Sequence, residues 1–506
     1  MNAESPIYDL FIVGGGINGC GIARDAAGRG LSVCLVEQND FASATSQWST
    51  KLIHGGLRYL EYYEFRLVAE SLREREVLLK AAPHLIQPLQ FILPHEPHLR
   101  PRWMIAAGML LYDMLGGKKS TPRSKSVYLT DSPLSAGLKP NYTHGFSYYD
   151  ARADDARLTL ANARGAADLG ATMLPRTRFI AAAVREGVWQ IEAENAQGVR
   201  LTYRAKMLVN AGGPWVARLL RAIKGVTQKA GVKHVRGSHI VVPRIHEGEH
   251  AYILQNADKR IIFIIPYQGA YSLIGTTDIA VDDYVQPHIS EEEIDYLCKA
   301  ASAYTLKPVR PADVVWTYSG VRPLYDDGGA DAKAITRDYV LEMNDSAGAP
   351  LLNIFGGKLT TFRRLAEHAL EKIQAHIPPL FPHMGPAWTH LRPLPGGDFT
   401  GGLPALIAEI ARRHPWLPAR HIPGIARRHG SIALRWLEHA SSIEDMGEYF
   451  GAGLYKREIS HMLTDEWAVT AEDVLWRRSK CGLMMSGPER ERVAAYLDQA
   501  TEKQAA

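Results

Sequence analysis

Six residues near the start, Gly14-Gly15-Gly16-Ile17-Asn18-Gly19, restrict this chain more than any other feature. They form a GxGxxG turn between an apolar run over 10–13 and a helical pattern over 22–27, which Gly28-Arg29-Gly30 closes. Residues 32–37 then read as a second strand ending on Glu37. Strand, glycine turn, helix and strand make one βαβ unit. Gly14 permits the tight turn, Gly16 lets the backbone approach a pyrophosphate, and Gly19 lets the helix pack on the strand. Ile17 and Asn18 open the helix whose N-terminus faces the phosphates. A GxGxxG alone is a weak signal. Glu37, at the ~20-residue spacing of a ribose-binding acid, strengthens it, although without that context it reads as a solvated strand end. The unit predicts a Rossmann-like, dinucleotide-binding α/β domain.

Two features favour FAD over NAD. The stretch 41–60 supplies hydroxyls and bare backbone soon after the ribose acid: Thr45, Ser46 and Ser49, then Lys51, Leu52, His54, Gly55 and Gly56. This suits a long cofactor running on from the pyrophosphate. Two distant glycine segments, Asn210-Ala211-Gly212-Gly213 and Phe355-Gly356-Gly357-Lys358, each follow a strand and can return to the same cofactor.

A chain of 506 residues is too long for one core. Helical patterns over 65–80 and 154–169 flank strand-like and Pro-rich stretches, including 89–94. A three-strand meander is expected at 172–183, 188–193 and 200–208, and further strands at 238–243, 261–266, 271–276 and 351–355. A helix is expected over 360–377, and helices dominate past 397. The expected organisation is a discontinuous FAD-binding domain (1–85, 145–230 and 345–385), a mixed-sheet substrate domain (86–144 and 231–344) and an α-helical C-terminal cap (386–506). A net charge of +4 is too small to suggest nucleic acid. The Arg412-Arg413, Arg427-Arg428 and Arg477-Arg478 pairs read as solvated faces or interdomain ion pairs. Four scattered cysteines imply reduced thiols, with no disulfide framework and no metal site. The first eight residues lack the features of a signal peptide. The longest uncharged apolar run, 103–112, is about half a membrane span.

Four segments carry a family resemblance: 49–60 (STKLIHGGLRYL), 237–243 (GSHIVVP), 316–324 (WTYSGVRPL) and 355–361 (FGGKLTT). Together they resemble aerobic, respiratory glycerol-3-phosphate dehydrogenase, of the glycine oxidase/D-amino-acid oxidase group of flavoproteins. The likeness runs from about residue 8 into the C-terminal region. It implies noncovalent FAD, also contacted by Lys358, Leu359 and Thr360, a membrane quinone as acceptor, and a homodimer. Gln47-Trp48 departs from the small residues usual beside the flavin loop.

A phosphorylated substrate needs cations, and Arg binds phosphate oxygens bidentately. Arg58, Arg322, Arg337 and Lys358 each sit within a motif rich in Gly, Tyr or Thr, and the resemblance places their equivalents near the substrate. His239 in an apolar strand reads by default as a core residue. The motif match makes it the candidate base for the C2 hydroxyl as hydride leaves for flavin N5, with Arg322 sharing the catalytic task. Tyr59 is a candidate substrate contact or a packing residue.

Residues 99–119 combine an apolar stretch with flanking Arg100, Arg102, Lys118 and Lys119. They read either as a buried helix or as an interfacial segment, and the bilayer-dissolved quinone that the resemblance implies tips the choice to the second, a monotopic protein on the cytoplasmic membrane face. Two alternatives stay open: an oxygen-reducing oxidase on the same scaffold, and a flavin-bound protein without turnover. The cationic set argues against amine substrates.

Overall fold

The computed structural model describes residues 6–505 apart from 97–98, 118, 228–230, 257, 259 and 327–337. The opening strand, Ile7–Val13, lies at the heart of an eight-stranded sheet. It runs parallel to Val33–Val36 on one side and to Arg200–Asn210 on the other. Leu351–Phe355 extends the parallel layer beyond Arg200–Asn210, and Thr172–Leu174 does so beyond Val33–Val36. Strands buried on both faces read as continuous apolar runs, and Leu10, Phe11, Ile12, Leu35, Val209 and Leu352 are all sealed from solvent. Helix Ile17–Gly28 packs on one face against helices Asp155–Asp168 and Phe362–His376.

The expected strand 172–183 is two strands. Thr172–Leu174 joins the parallel layer, while Arg178–Arg185 pairs with Val188–Glu194 in an antiparallel flap. The break falls at Pro175-Arg176, where Arg176 takes a left-handed φ of 53°.

The second sheet has ten strands, almost all antiparallel. Gly231–Pro243 is flanked by Tyr271–Gly275 and Trp316–Asp326. Among the described residues its one parallel pairing joins Ala251–Gln255 to Ile86–Pro94, so the sheet is mixed as expected. It also takes in Leu52–Ile53 and His144–Ala153. This sheet therefore reaches into stretches that the sequence reading gave to the nucleotide domain, because strand pairing across the chain is invisible to composition.

Helix Glu291–Tyr304 is pinned to the second sheet through its cap. Ser290 and Glu293 form a reciprocal capping box. The Glu293 carboxylate also accepts hydrogen bonds from Arg236 at 2.6 Å, Thr277 at 2.7 Å and Ser238 at 2.8 Å. One cap residue thus holds the strand that carries His239.

The C-terminal region is helical, with two apolar clusters of its own. Of its arginines, Arg428 pairs with Glu458 at 2.6 Å, and Arg477 and Arg478 are buried against Asp40. The four cysteines are buried and unpaired. Among the described residues no helix is long and apolar enough to cross a membrane.

Candidate active site

The glycine turn is built for close approach. A Cβ at Gly14 would lie 2.5 Å from the Ala211 carbonyl oxygen, and one at Gly19 would lie 2.0 Å from that of Gly14. Glu37 reaches back over the turn, accepting from the Gly15 N–H at 2.7 Å and the Asn39 N–H at 2.9 Å. Burial pushes its carboxyl pKa up, and these N–H donors oppose that shift. The Ile17 N–H, first of the helix, donates to Ser46 Oγ at 2.9 Å. Asn18 donates to the Gly356 carbonyl at 3.1 Å, and its own Oδ1 is buried without a partner. The Ala211 N–H donates to the Val13 carbonyl at 2.9 Å, and the Gly212 N–H donates to Asn210 Oδ1 at 3.3 Å. These bare, donor-rich segments from four places in the chain form one cradle that fits a flavin dinucleotide.

Its far end is closed by loop-to-loop bonds. The His54 N–H meets Thr360 Oγ1 at 3.2 Å, and the Gly55 N–H meets the Tyr112 hydroxyl at 3.0 Å. Gly56 adopts φ 72°, with no room for a Cβ beside the Tyr59 ring. Burial lowers the His54 pKa, and Lys358 adds to the shift. Gly357 faces Asn18, which brings 355–361 onto the glycine turn. Leu359 packs with Ile17 and Ile53.

Three predicted cofactor residues have other partners. Lys51 Nζ is buried between both oxygens of Asp155, at 2.9 and 3.0 Å, and the Gln47 carbonyl at 2.8 Å. Ser49 also gives its hydroxyl to Asp155, at 2.8 Å. Thr45 Oγ1 donates to the Val321 carbonyl at 2.6 Å. These side chains brace the loop, which leaves it backbone groups to offer a cofactor. Leu52 is paired opposite Arg152 with its side chain in the core.

The candidate chemistry sits on the second sheet. Alternation places Tyr318, Gly320 and Arg322 on one strand face. His239 is paired directly with Tyr318 and with Gly275. The imidazole stacks on the Tyr318 ring at 4.7 Å and 17°, and a Cβ at Gly275 would strike it at 2.1 Å. Trp48 occupies the space over Gly320 and stacks on Tyr318 at 5.3 Å. The Gln47-Trp48 departure is thus absorbed by packing. His239 Nε2 bonds Thr50 Oγ1 at 3.0 Å, and Nδ1 is buried with no partner. When Nε2 donates, Nδ1 is a bare acceptor, the tautomer a base requires. Burial, then Lys51 and Arg322, push the imidazole pKa down to about 3. Arg322, half exposed, pairs with Asp278 at 3.0 Å.

A second group lies on the neighbouring loops. Lys358 Nζ is 4.2 Å from the Tyr59 ring centroid and is buried with no hydrogen-bond partner among the described residues. Arg58 reaches the Tyr62 hydroxyl at 3.4 Å. A Cβ at Gly356 would lie 3.7 Å from the Pro323 carbonyl, which sets the Lys358 loop beside the strand of Arg322. Arg337 lies outside the described residues. Sequence reasoning missed Thr50, Tyr318 and Asp155. Tyr318 shares a strand face with Arg322 and could have been found by counting in twos; Thr50 and Asp155 leave no such local signal.

A family model described as "FAD dependent oxidoreductase" matches residues 9–363. The chain is 49% identical to "Glycerol-3-phosphate dehydrogenase" of Pseudomonas aeruginosa, covering 97% of this chain and 95% of that one. It is 46% identical to "D-erythritol 1-phosphate dehydrogenase" of Brucella abortus, covering 98% and 99%. Its structure matches that of the glycerol-3-phosphate dehydrogenase from Bacillus halodurans complexed with FAD at a TM-score of 0.75 and 26% identity, covering 97% and 94%.

Proposed function

We propose that this chain, which belongs to the FAD-dependent oxidoreductase family, oxidises sn-glycerol 3-phosphate to dihydroxyacetone phosphate and passes the electrons to a membrane quinone. FAD is its cofactor and, when bound, supplies the hydride acceptor at flavin N5. The observation that carries the substrate reading is Lys358: an ammonium buried over the Tyr59 ring with no hydrogen-bond partner among the described residues is costly, and a phosphate or hydroxyl oxygen beside Tyr59 would complete it. Arg322 can exchange Asp278 for phosphate oxygens and hold them bidentately, with Arg58 and Arg337 as further phosphate ligands. Phosphate on Arg322 also offsets one cause of the lowered His239 pKa, so substrate itself makes the imidazole a better base. His239 then takes the C2 hydroxyl proton while its ring stays fixed between Thr50, Tyr318 and Gly275.

The D-erythritol 1-phosphate relative is nearly as similar as the glycerol-3-phosphate one, so identity alone leaves a longer polyol phosphate as a second reading. Anaerobic stopped-flow absorbance separates the two. Rapid bleaching of the flavin band by sn-glycerol 3-phosphate, slower bleaching by D-erythritol 1-phosphate, and reoxidation faster by soluble quinone than by air are expected. A flavin that stays oxidised with sn-glycerol 3-phosphate removes the proposal, and reoxidation as fast by air as by quinone favours an oxidase.

Helix Arg102–Leu115 supports the membrane part of the reading. Only Met109 and Tyr112 are buried on it, while Trp103 and Met114 are each 70% exposed. Tyr62, Tyr63 and Phe65 are exposed nearby. Arg102 is exposed at one end and Arg100, also exposed, pairs with Glu61 at 3.5 Å, whereas Lys119 is turned inward to Asp113 at 2.7 Å, and Lys118 lies outside the described residues. Tyr112 ties the helix to Asp150 and Gly55 beneath the flavin loop. Trp103→Asp with Met114→Asp is expected to abolish cosedimentation with anionic vesicles while leaving flavin reduction by substrate intact. Equal cosedimentation would remove the docking assignment. The homodimer is part of the same proposal, and light scattering of the purified enzyme reads it.

A further inference from the structure

Asp473–Arg478 forms a single π-helical turn in the C-terminal region, outside the 9–363 family match. Such turns recur at functional sites because they re-aim successive side chains. Here three consecutive side chains reach both halves of the active site. Arg477 Nε donates to Asp40 at 2.6 Å, and Arg478 grips the same carboxylate with both arms, one at 2.9 Å. All three groups are buried. Asp40 stands three residues after Glu37, and the next residue, Phe41, packs edge-on against Trp467 at 5.1 Å. Asp473 adds a second tether: it pairs with the Arg176 guanidinium, and the Arg176 backbone N–H donates to the Asn39 carbonyl at 2.7 Å.

Between these contacts, Trp476 points the other way. It stacks on Trp316 at 4.9 Å and 23°. Trp316 packs on Tyr318 at 5.3 Å, and Tyr318 on His239 at 4.7 Å. One turn of helix therefore touches the loop after the ribose acid and, two rings away, the candidate base.

We propose that Asp473–Arg478 is a positioning element for the whole site. Arg477 and Arg478 hold loop 37–42 in the shape that receives the adenosine half of FAD, and Trp476 holds the strand that seats His239. The inference rests on the roles given above to Glu37 and His239.

The test uses the full-length enzyme. For Arg477→Gln, FAD titrated into deflavinated, folded protein is expected to bind about 10–100-fold more weakly, the size of a lost charged hydrogen bond. Trp476→Leu is expected to keep FAD affinity and to lose about tenfold in kcat with a changed pH profile, as misplacement of a base does. A purely structural turn would lower the unfolding temperature and move neither quantity. If both variants fold and keep wild-type FAD affinity, kcat and pH profile, the proposal is overturned. Should Arg477→Gln not fold, Arg176→Gln, whose side chain is 23% exposed, puts the same question to loop 37–42, and unchanged FAD affinity there overturns the loop half. Glu37→Gln is the control. If it weakens FAD binding while Arg477→Gln does not, the clamp alone fails; if it has no effect, the assignment of the cofactor site fails first.

Discussion

A His239→Gln enzyme is expected to bind FAD as the parent does and to reduce it with substrate about 10²–10⁴-fold more slowly. The two halves of this expectation come from different parts of the fold. The cofactor cradle is made by the glycine turn, 41–60, 210–213 and 355–361, which meets the imidazole through the Thr50 hydroxyl, a side chain not assigned to the cofactor. The base, by contrast, is seated by Thr50, Tyr318 and Gly275. Flavin reduction within about tenfold of the parent rate would remove His239 from the proton transfer and turn attention to Arg322 or an ordered water. The same variant carries a pH signature. His239 titrates near 3 in the folded chain and near 6.5 when unfolded. Between those values the unfolded chain binds a proton that the folded one refuses, so stability falls as pH falls through that window. Denaturant midpoints measured from pH 7 to pH 4 should therefore fall less steeply for His239→Gln than for the parent. Parallel curves would mean that the imidazole is not held neutral.

Lys51→Met is expected to cost about 3–5 kcal/mol of stability, because it leaves the Asp155 carboxylate buried without its cation. Asp155 is completely sealed and Lys51 nearly so. Ser49 and the Ala156 N–H would remain as donors, but neither is charged. The loss should also reach the chemistry, since Thr50, the partner of His239, sits between Ser49 and Lys51. A double variant, Lys51→Met with Asp155→Asn, should be less damaged than the sum of its parts, because the second change removes the stranded charge. Strict additivity in chemical denaturation would show that the two groups are not coupled.

Local features of this site were legible and long-range ones were not. The glycine turn and Glu37 declare themselves because each glycine answers a nearby clash and the acid follows at fixed spacing. Arg322, Lys358 and His239 are expected from motifs, and the structure sets their loops and strands near one another. The side-chain partner of Lys51 was not legible because Asp155 lies 104 residues away, and nothing within 49–60 distinguishes a Lys side chain facing a flavin from one facing a buried Asp. The Tyr318–His239 pairing likewise joins strands from distant parts of the chain. Burial is legible only in outline: the apolar stretch 103–112 suits a core element as well as an interfacial one, and in the structure Met109 and Tyr112 are the buried residues of helix Arg102–Leu115.

The order of strands in the parallel sheet also bears on how the enzyme is made. Ile7–Val13 and Val33–Val36 leave the ribosome first, but their neighbour Arg200–Asn210 comes much later, and Leu351–Phe355 later still. Until some 350 residues have been synthesised, the nascent nucleotide layer carries an unpaired edge and an uncovered apolar face. The growing chain is then exposed to misassociation, and it has no complete seat for flavin. Cofactor loading must therefore follow synthesis of Leu351–Phe355 and the loop after it, and cells short of flavin would accumulate the translated chain without its cofactor rather than an early fragment.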